Sequence, residues 1–165
     1  MGDKNRIRFL GVPVDRVDGQ TAMGVFRELM ETEGCSLIVT PNSEIVINAS
    51  KDPELKSIIE QADLVIPDGI GLVYASKIMG VPLSERVTGI DFLTSILGYL
   101  EETGRSVFLL GSRPGEGGAP GIAELAAEKM KEKHKRLVIA GAHHGYFKAE
   151  DEEEVVRRIN ESGAD

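Results

Sequence analysis

A Rossmann-like α/β fold, a mostly parallel sheet with helices on both faces, is the class this sequence predicts. Three observations lead there. Apolar runs of strand length alternate with stretches of helical spacing, the pattern of crossover units. The strand runs are near-continuously apolar, as befits strands covered on both faces. The 165 residues include 19 Gly, few aromatics and no Trp, a composition suited to tight strand-to-helix turns.

The elements follow in order. Ile7 to Val14 reads as a first strand region closed by Pro13, and Val17 to Thr32 has helical spacing ending at Gly34. Ser36 to Thr40 is a compact strand broken by Pro41 and Asn42, and Ser43 to Ala49 a short helix. Asp52 and Pro53 supply a capping carboxylate and a first-turn proline for a helix to about Gln61. Asp63 to Pro67 is a strand, followed by Asp68-Gly69-Ile70-Gly71 and a helix through Met79. After a loop from Val81, Thr88 and Asp91 form a capping box for a helix from Phe92 to Glu102. Ser106 to Leu110 is a strand, Gly111 to Gly121 a glycine-rich loop, and Ile122 to His134 a helix. Leu137 to Ala140 is the next strand, and Asp151 to Asn160 the last helix. The chain reads as one domain over residues 1–165, stopping on an outer helix before the next strand of its sheet.

Charge and composition exclude several functions. The net charge of −8 repels nucleic acid, whose affinity rests on phosphate neutralisation. Glu150 to Glu154 concentrate five carboxylates where a helix start favours them. Cys35 is the single cysteine, which rules out an internal disulfide and fits a reducing compartment. Beside an apolar run it reads as a buried structural thiol. The polar N-terminus lacks a signal-peptide core, and no apolar run approaches the ~20 residues that span a bilayer.

In a parallel sheet, ligands bind outside the C-terminal ends of the strands. Thr40-Pro41-Asn42, Pro67 to Gly71, Gly111 to Gly115 and Gly141 to Tyr146 fall there. Asp68 has two readings, a cap for the helix beginning at Ile70 or a general base toward a substrate hydroxyl. Thr40 and Asn42 suit sugar hydroxyls or ordinary turn chemistry. The Gly111 loop carries neither a dinucleotide fingerprint nor a Walker lysine, and its backbone N–H groups suit a phosphate or a plain surface loop. Arg86 and Arg113 suit a diphosphate or surface ion pairs. His143 and His144 lack the companions of a metal site. With no Asp-x-Asp pair either, the expectation is metal-independent chemistry without a cofactor.

Assembled in order, Thr40-Pro41-Asn42, Ala62 to Gly71, Glu85 to Gly89 with Asp91, Val107 to Gly111 and Gly145 to Phe147 resemble the WecG/TagA/CpsF family of glycosyltransferases. The closest likeness is to its TagA-type branch of wall teichoic acid synthesis. The resemblance implies inverting transfer of N-acetylmannosamine from UDP-ManNAc to N-acetylglucosamine on undecaprenyl diphosphate. It makes Asp68 the base and places Thr40, Asn42 and Gly69 at the sugar. Arg86 would hold the acceptor or diphosphate, and Gly111, Ser112, Arg113, Gly141 and Tyr146 the nucleotide. The family continues with a further strand, a Pro-Lys-Gln-Glu-like motif and a basic membrane-associated tail. The resemblance therefore implies a chain cut short, peripheral membrane contact through the missing segment and a place at the cytoplasmic face of the plasma membrane; the sheet edges left open by the missing segment predict self-association into a homo-oligomer. The competing readings are a non-catalytic nucleotide-binding or regulatory module and a Rossmann dehydrogenase. The dehydrogenase is disfavoured because no Gly-x-Gly-x-x-Gly follows the first strand.

Overall fold

The computed structural model describes residues 5–83 and 87–165. The chain divides at Ser95/Ile96 into two units.

The first unit opens with a hairpin. Strands β1 (Arg6–Phe9) and β2 (Val12–Asp15) pair antiparallel, Arg6 opposite Asp15 and Phe9 opposite Val12. The sequence predicts one strand region here. The chain instead reverses at Leu10 and Gly11, whose φ values of 51° and 82° are those of the tight turn that matches strand twist. The Arg16 N–H donates to the Asn5 carbonyl at 2.9 Å, which sets the alternation of bonded and non-bonded pairs. Pro13 then falls opposite Arg8 at a non-bonded position, where its missing N–H costs the hairpin nothing.

Strands β3 (Ile38–Val39) and β4 (Leu64–Val65) pair in parallel. Backbone bonds carry the pairing further. Asp63 N–H reaches the Leu37 carbonyl at 2.8 Å, Ile66 N–H that of Val39 at 2.8 Å, and Asp68 N–H that of Pro41 at 3.1 Å. The crossover between them holds α2 (Ser43–Ala49) and α3 (Pro53–Gln61), and α1 (Gly19–Leu29) precedes β3. Each helix starts on a side-chain cap. Asp18 accepts from Thr21 N–H, Asn42 from Ile45 N–H, and Asp52 from the N–H groups of Glu54 and Leu55. Helix α4 (Ile70–Ile78) follows β4, and α5 (Gly89–Thr103) starts on Thr88, whose Oγ1 accepts the Asp91 N–H at 3.1 Å. Buried Ser76 ties α4 to the chain beyond it, donating to the Val73 carbonyl and accepting the Leu83 N–H.

The core of this unit joins Ile7, Phe9, Val12 and Val14 of the hairpin to Val46, Ile59, Val65 and Leu72. Beneath it lies one buried ionic knot. Asp15, 6% exposed, accepts from Arg6 Nε at 2.7 Å and Arg6 Nη2 at 3.2 Å. It also accepts the Val65 N–H at 2.7 Å, while Arg6 Nη2 donates to the Ala62 carbonyl at 2.7 Å. Cys35, expected inside, is exposed. Residues 31–37 precede the short strand as exposed chain and do not enter the core.

The second unit is a single crossover. Strands β5 (Ser106–Leu110) and β6 (Val138–His143) pair in parallel on either side of α6 (Ile122–Lys133). The register slips by one residue between Val107 and Phe108, so that Phe108 faces Gly141 and Ala140 forms a bulge. Strand β6 runs three residues past the predicted end at Ala140. A single 3-10 turn (Ala149–Asp151) leads into α7 (Glu152–Ser162), whose first turn holds Glu152, Glu153 and Glu154 as predicted for a helix start. Asp165 caps the start of β5, accepting from Ser106 N–H and Oγ. No helix among the described residues is long and apolar enough to cross a membrane.

Two parallel ladders with helical crossovers make the chain Rossmann-like α/β, as predicted. Among the described residues the ladders are two-stranded and separate, with the hairpin as the antiparallel member.

Two predictions concern stability. Asp15→Ala leaves Arg6 and the Val65 N–H without their buried acceptor and should cost about 3 kcal/mol. Asp15→Asn, which keeps one acceptor, should cost less; urea unfolding measures both. Glu101 accepts the Arg136 N–H and, next, a bond with His134 Nδ1, and these hold its carboxyl below the ordinary carboxylate value. A depressed native pKa stabilises above the unfolded pKa and is lost as pH falls through the native one. Glu101→Gln should therefore melt below the parent at pH 7, with the gap closing below about pH 4. Thermal unfolding across pH checks this.

Candidate functional site

The polar segments assemble within each unit. In the first, the β3–β4 pairing carries Thr40-Pro41-Asn42 alongside Ile66-Pro67-Asp68 at the C-terminal edge of the ladder. Gly69 then turns the chain into α4 at φ 143°, ψ 139°, a conformation essentially confined to glycine. Gly69, not Asp68, occupies the cap position of α4, and it supplies no side-chain cap. The capping reading of Asp68 is thereby corrected. Its Oδ2 accepts instead from the Gly89 N–H at 3.3 Å, at the start of α5.

Gly89 shows what shares that space. A Cβ built there would lie 3.3 Å from Asp68 Oδ2 and 3.3 Å from Thr40 Oγ1, so the carboxylate and the hydroxyl converge on one glycine. Asn42 begins α2, and its Oδ1 is committed to the Ile45 N–H at 2.9 Å. Its Cβ would sit 3.6 Å from a Cβ added to Gly69, while one on Gly71 would collide with Ser43 Oγ. The first turns of α2, α4 and α5 thus gather around Asp68. Of their N–H groups, that of Gly89 meets the Asp68 carboxylate, while those of Ile45 and Asp91 are taken by the Asn42 and Thr88 caps. Arg86, assigned to this region from the sequence, lies outside the described residues.

In the second unit, Gly111 N–H donates to the His143 carbonyl and Gly145 N–H to the Ser112 carbonyl, both at 2.9 Å. The β5–β6 pairing thus continues into the turns. Gly111 has φ 145° and Ser112 φ 61°, a local reversal that brings Gly145 close against the Gly111 backbone. The glycine-rich loop folds back on itself. The Arg113 carbonyl accepts the Ile122 N–H at 3.2 Å, and Gly115 packs against the Ala119 carbonyl with no room for a Cβ. Glu124 reaches back beside Gly121, so the first turn of α6 already holds a carboxylate. Gly141 lies inside β6, where a Cβ would come within 2.5 Å of Phe108 Cε2. Its smallness accommodates a ring.

Tyr146 is exposed and lines a cavity of about 320 Å³ with His143, His144, Phe147, Lys148, Asp151, Glu154 and Val155. The His143 and His144 rings lie 4.4 Å apart, and His143 Nδ1 bonds the His144 carbonyl. Sequence reasoning missed this cavity, since its walls join the β6 turn to α7. It also missed the Gly89 N–H, although the capping box that places it was legible.

Two parallel crossover units ending in polar and glycine turns define a protein of the Rossmann-like class, whose ligands bind at that edge of the sheet. The family described as Glycosyl transferase WecG/TagA/CpsF matches residues 7–165, and the chain belongs to it. It is 35% identical over 130 residues to the N-acetylglucosaminyldiphosphoundecaprenol N-acetyl-beta-D-mannosaminyltransferase of Bacillus spizizenii, covering 79% of this chain and 48% of the relative. It is 34% identical over 122 residues to the protein of the same name in Staphylococcus aureus strain NCTC 8325, covering 74% of this chain and 45% of that one. The chain therefore spans about half the length of the curated relatives it matches.

The contact at Gly141 yields a test. Gly141→Ala should overpack the Phe108 ring and destabilise the protein by about 1–3 kcal/mol in urea unfolding. A loss of UDP affinity with unfolding unchanged would restore a direct nucleotide role.

Proposed function

We propose that this protein is an inverting glycosyltransferase with Asp68 as its general base. It transfers N-acetylmannosamine from UDP-ManNAc to undecaprenyl-diphosphate-linked N-acetylglucosamine, a step of wall teichoic acid linkage-unit synthesis. The observation that carries the reading is the convergence of Asp68 Oδ2 and Thr40 Oγ1 on Gly89. Family membership and the names of the relatives support the donor and acceptor.

The chemistry follows from one carboxylate and a set of fixed dipoles. Asp68 takes the proton from the acceptor hydroxyl as its oxygen attacks the anomeric carbon from the face opposite UDP. The C–O bond to UDP breaks with inversion. Charge on the departing diphosphate is met by Arg86 and by oriented N–H groups, without a metal ion. Thr40, Asn42 and Gly69 line the sugar pocket, and we assign nucleotide contacts to Gly111, Ser112, Arg113 and Tyr146. The same reading places the protein at the inner face of the plasma membrane, as a peripheral homo-oligomer.

Asp68→Asn in the intact protein is the test. Affinity for UDP-ManNAc should stay within about two-fold, while turnover falls roughly 10²–10⁴-fold. Unchanged turnover would remove Asp68 from the reaction, and joint loss of binding and turnover would mark it as structural.

A further inference from the structure

Helix α4 leaves the crevice with an unusual outer face. Ile70, Tyr74 and Ile78 repeat every fourth residue and so form one stripe, with Ile78 88% and Tyr74 59% exposed. Met79 and Val81 just beyond the helix, and Ile90 at the start of α5, are exposed too. Single exposed apolar residues need no explanation, but a contiguous patch marks a contact surface. In a chain of net charge −8, α4 carries no acid. Its one charge is Lys77, whose ammonium lies 5.9 Å from the Tyr74 ring.

The stripe begins at the candidate site. Ile70 is two residues from Asp68, and Ile90 follows the glycine whose N–H holds the Asp68 carboxylate. We propose that this face seats the polyprenyl chain of a lipid-diphosphate-linked sugar acceptor. The proposal rests on the transferase reading above. It is argued from three properties: an exposed apolar stripe, a first residue two positions from Asp68, and a cation, Lys77, that complements a diphosphate. An acceptor with an undecaprenol tail, such as the relatives' names describe, needs such a surface once its head enters the crevice. The nine residues of α4 offer roughly 12 Å of it.

The test uses the intact protein, Ile78→Glu and Tyr74→Gln variants, and two acceptors, GlcNAc-diphosphate on a long polyprenyl chain and on a five-carbon chain. Both side chains are exposed, and circular dichroism verifies the folds. The variants should raise KM for the long-chain acceptor about ten-fold, a change of about 1.4 kcal/mol. Neither KM for the short-chain acceptor nor that for UDP-ManNAc should move. Independently, a photoreactive polyprenyl diphosphate without sugar should label the peptide bearing Ile70 to Val81. Labelling elsewhere, or equal effects on both acceptors, overturns the proposal. So does a variant that merely dissociates an oligomer or loses binding to anionic phospholipid vesicles while chain-length discrimination persists. Labelling on α4 without turnover of either acceptor would keep the lipid site and sink the transferase reading. Turnover without labelling would do the reverse.

Discussion

The Asp15 carboxylate stands where the hairpin, the end of α3 and strand β4 meet, and the geometry of the first unit follows from how its two oxygens are used. Successive N–H groups of a strand point to opposite sides. In β4 and its extension those of Leu64, Ile66 and Asp68 turn toward the segment of β3. That of Val65 turns away and meets Asp15 Oδ2 at 2.7 Å. A side chain therefore occupies the flank where another strand would pair. Burying an ion pair is weak evidence of net stability, because desolvation offsets the attraction. What this pair provides is register. With Val65 fixed on one side and β3 on the other, the strand cannot slip, and Asp68 emerges beside Pro41 and Thr40.

From that point, glycines rather than charges shape the crevice, and for different physical reasons. Gly69 is required by conformation, because its φ of 143° strains any side chain. Gly89 is favoured by space, since a Cβ there would crowd both Asp68 Oδ2 and Thr40 Oγ1. Gly141 is also a matter of space, but a ring fills it. The three are indistinguishable as letters, which is why Gly141 was grouped with the nucleotide loops. A glycine in a strand signals a close approach without saying whether a ligand or a side chain approaches.

Much of the fold was legible because its signals are local. Asp52 with Pro53 fixed the start of α3, Thr88 with Asp91 that of α5, and Ser106 to Leu110 is β5 as read. The hairpin was missed because Leu10-Gly11 lacks the Asn-Gly or Asp-Gly signature of its turn. Cys35 was misplaced because the strand after it begins later than its apolar letters imply, at Ile38. At the candidate site, residue types were legible and partners were not. Nothing near position 68 announces that its carboxylate will take an N–H from 21 residues away, or that position 15 binds position 65.

Two aspartates of this unit show how partners decide what one functional group can do. Asp15 receives two bonds from Arg6 and one from Val65, two of them at 2.7 Å, and is almost wholly buried. Most of its acceptor positions are taken by protein groups and burial closes off the rest, so it has little to offer a substrate. Among the described residues, half-buried Asp68 at the edge of the ladder accepts a single bond, of 3.3 Å from the Gly89 N–H. A carboxylate has about four acceptor positions; one long bond orients the group and leaves the others for a hydroxyl. A general base needs that combination of orientation without saturation. The same physics that makes Asp15 a fixed point of the fold disqualifies it from chemistry, and it argues for the task proposed for Asp68.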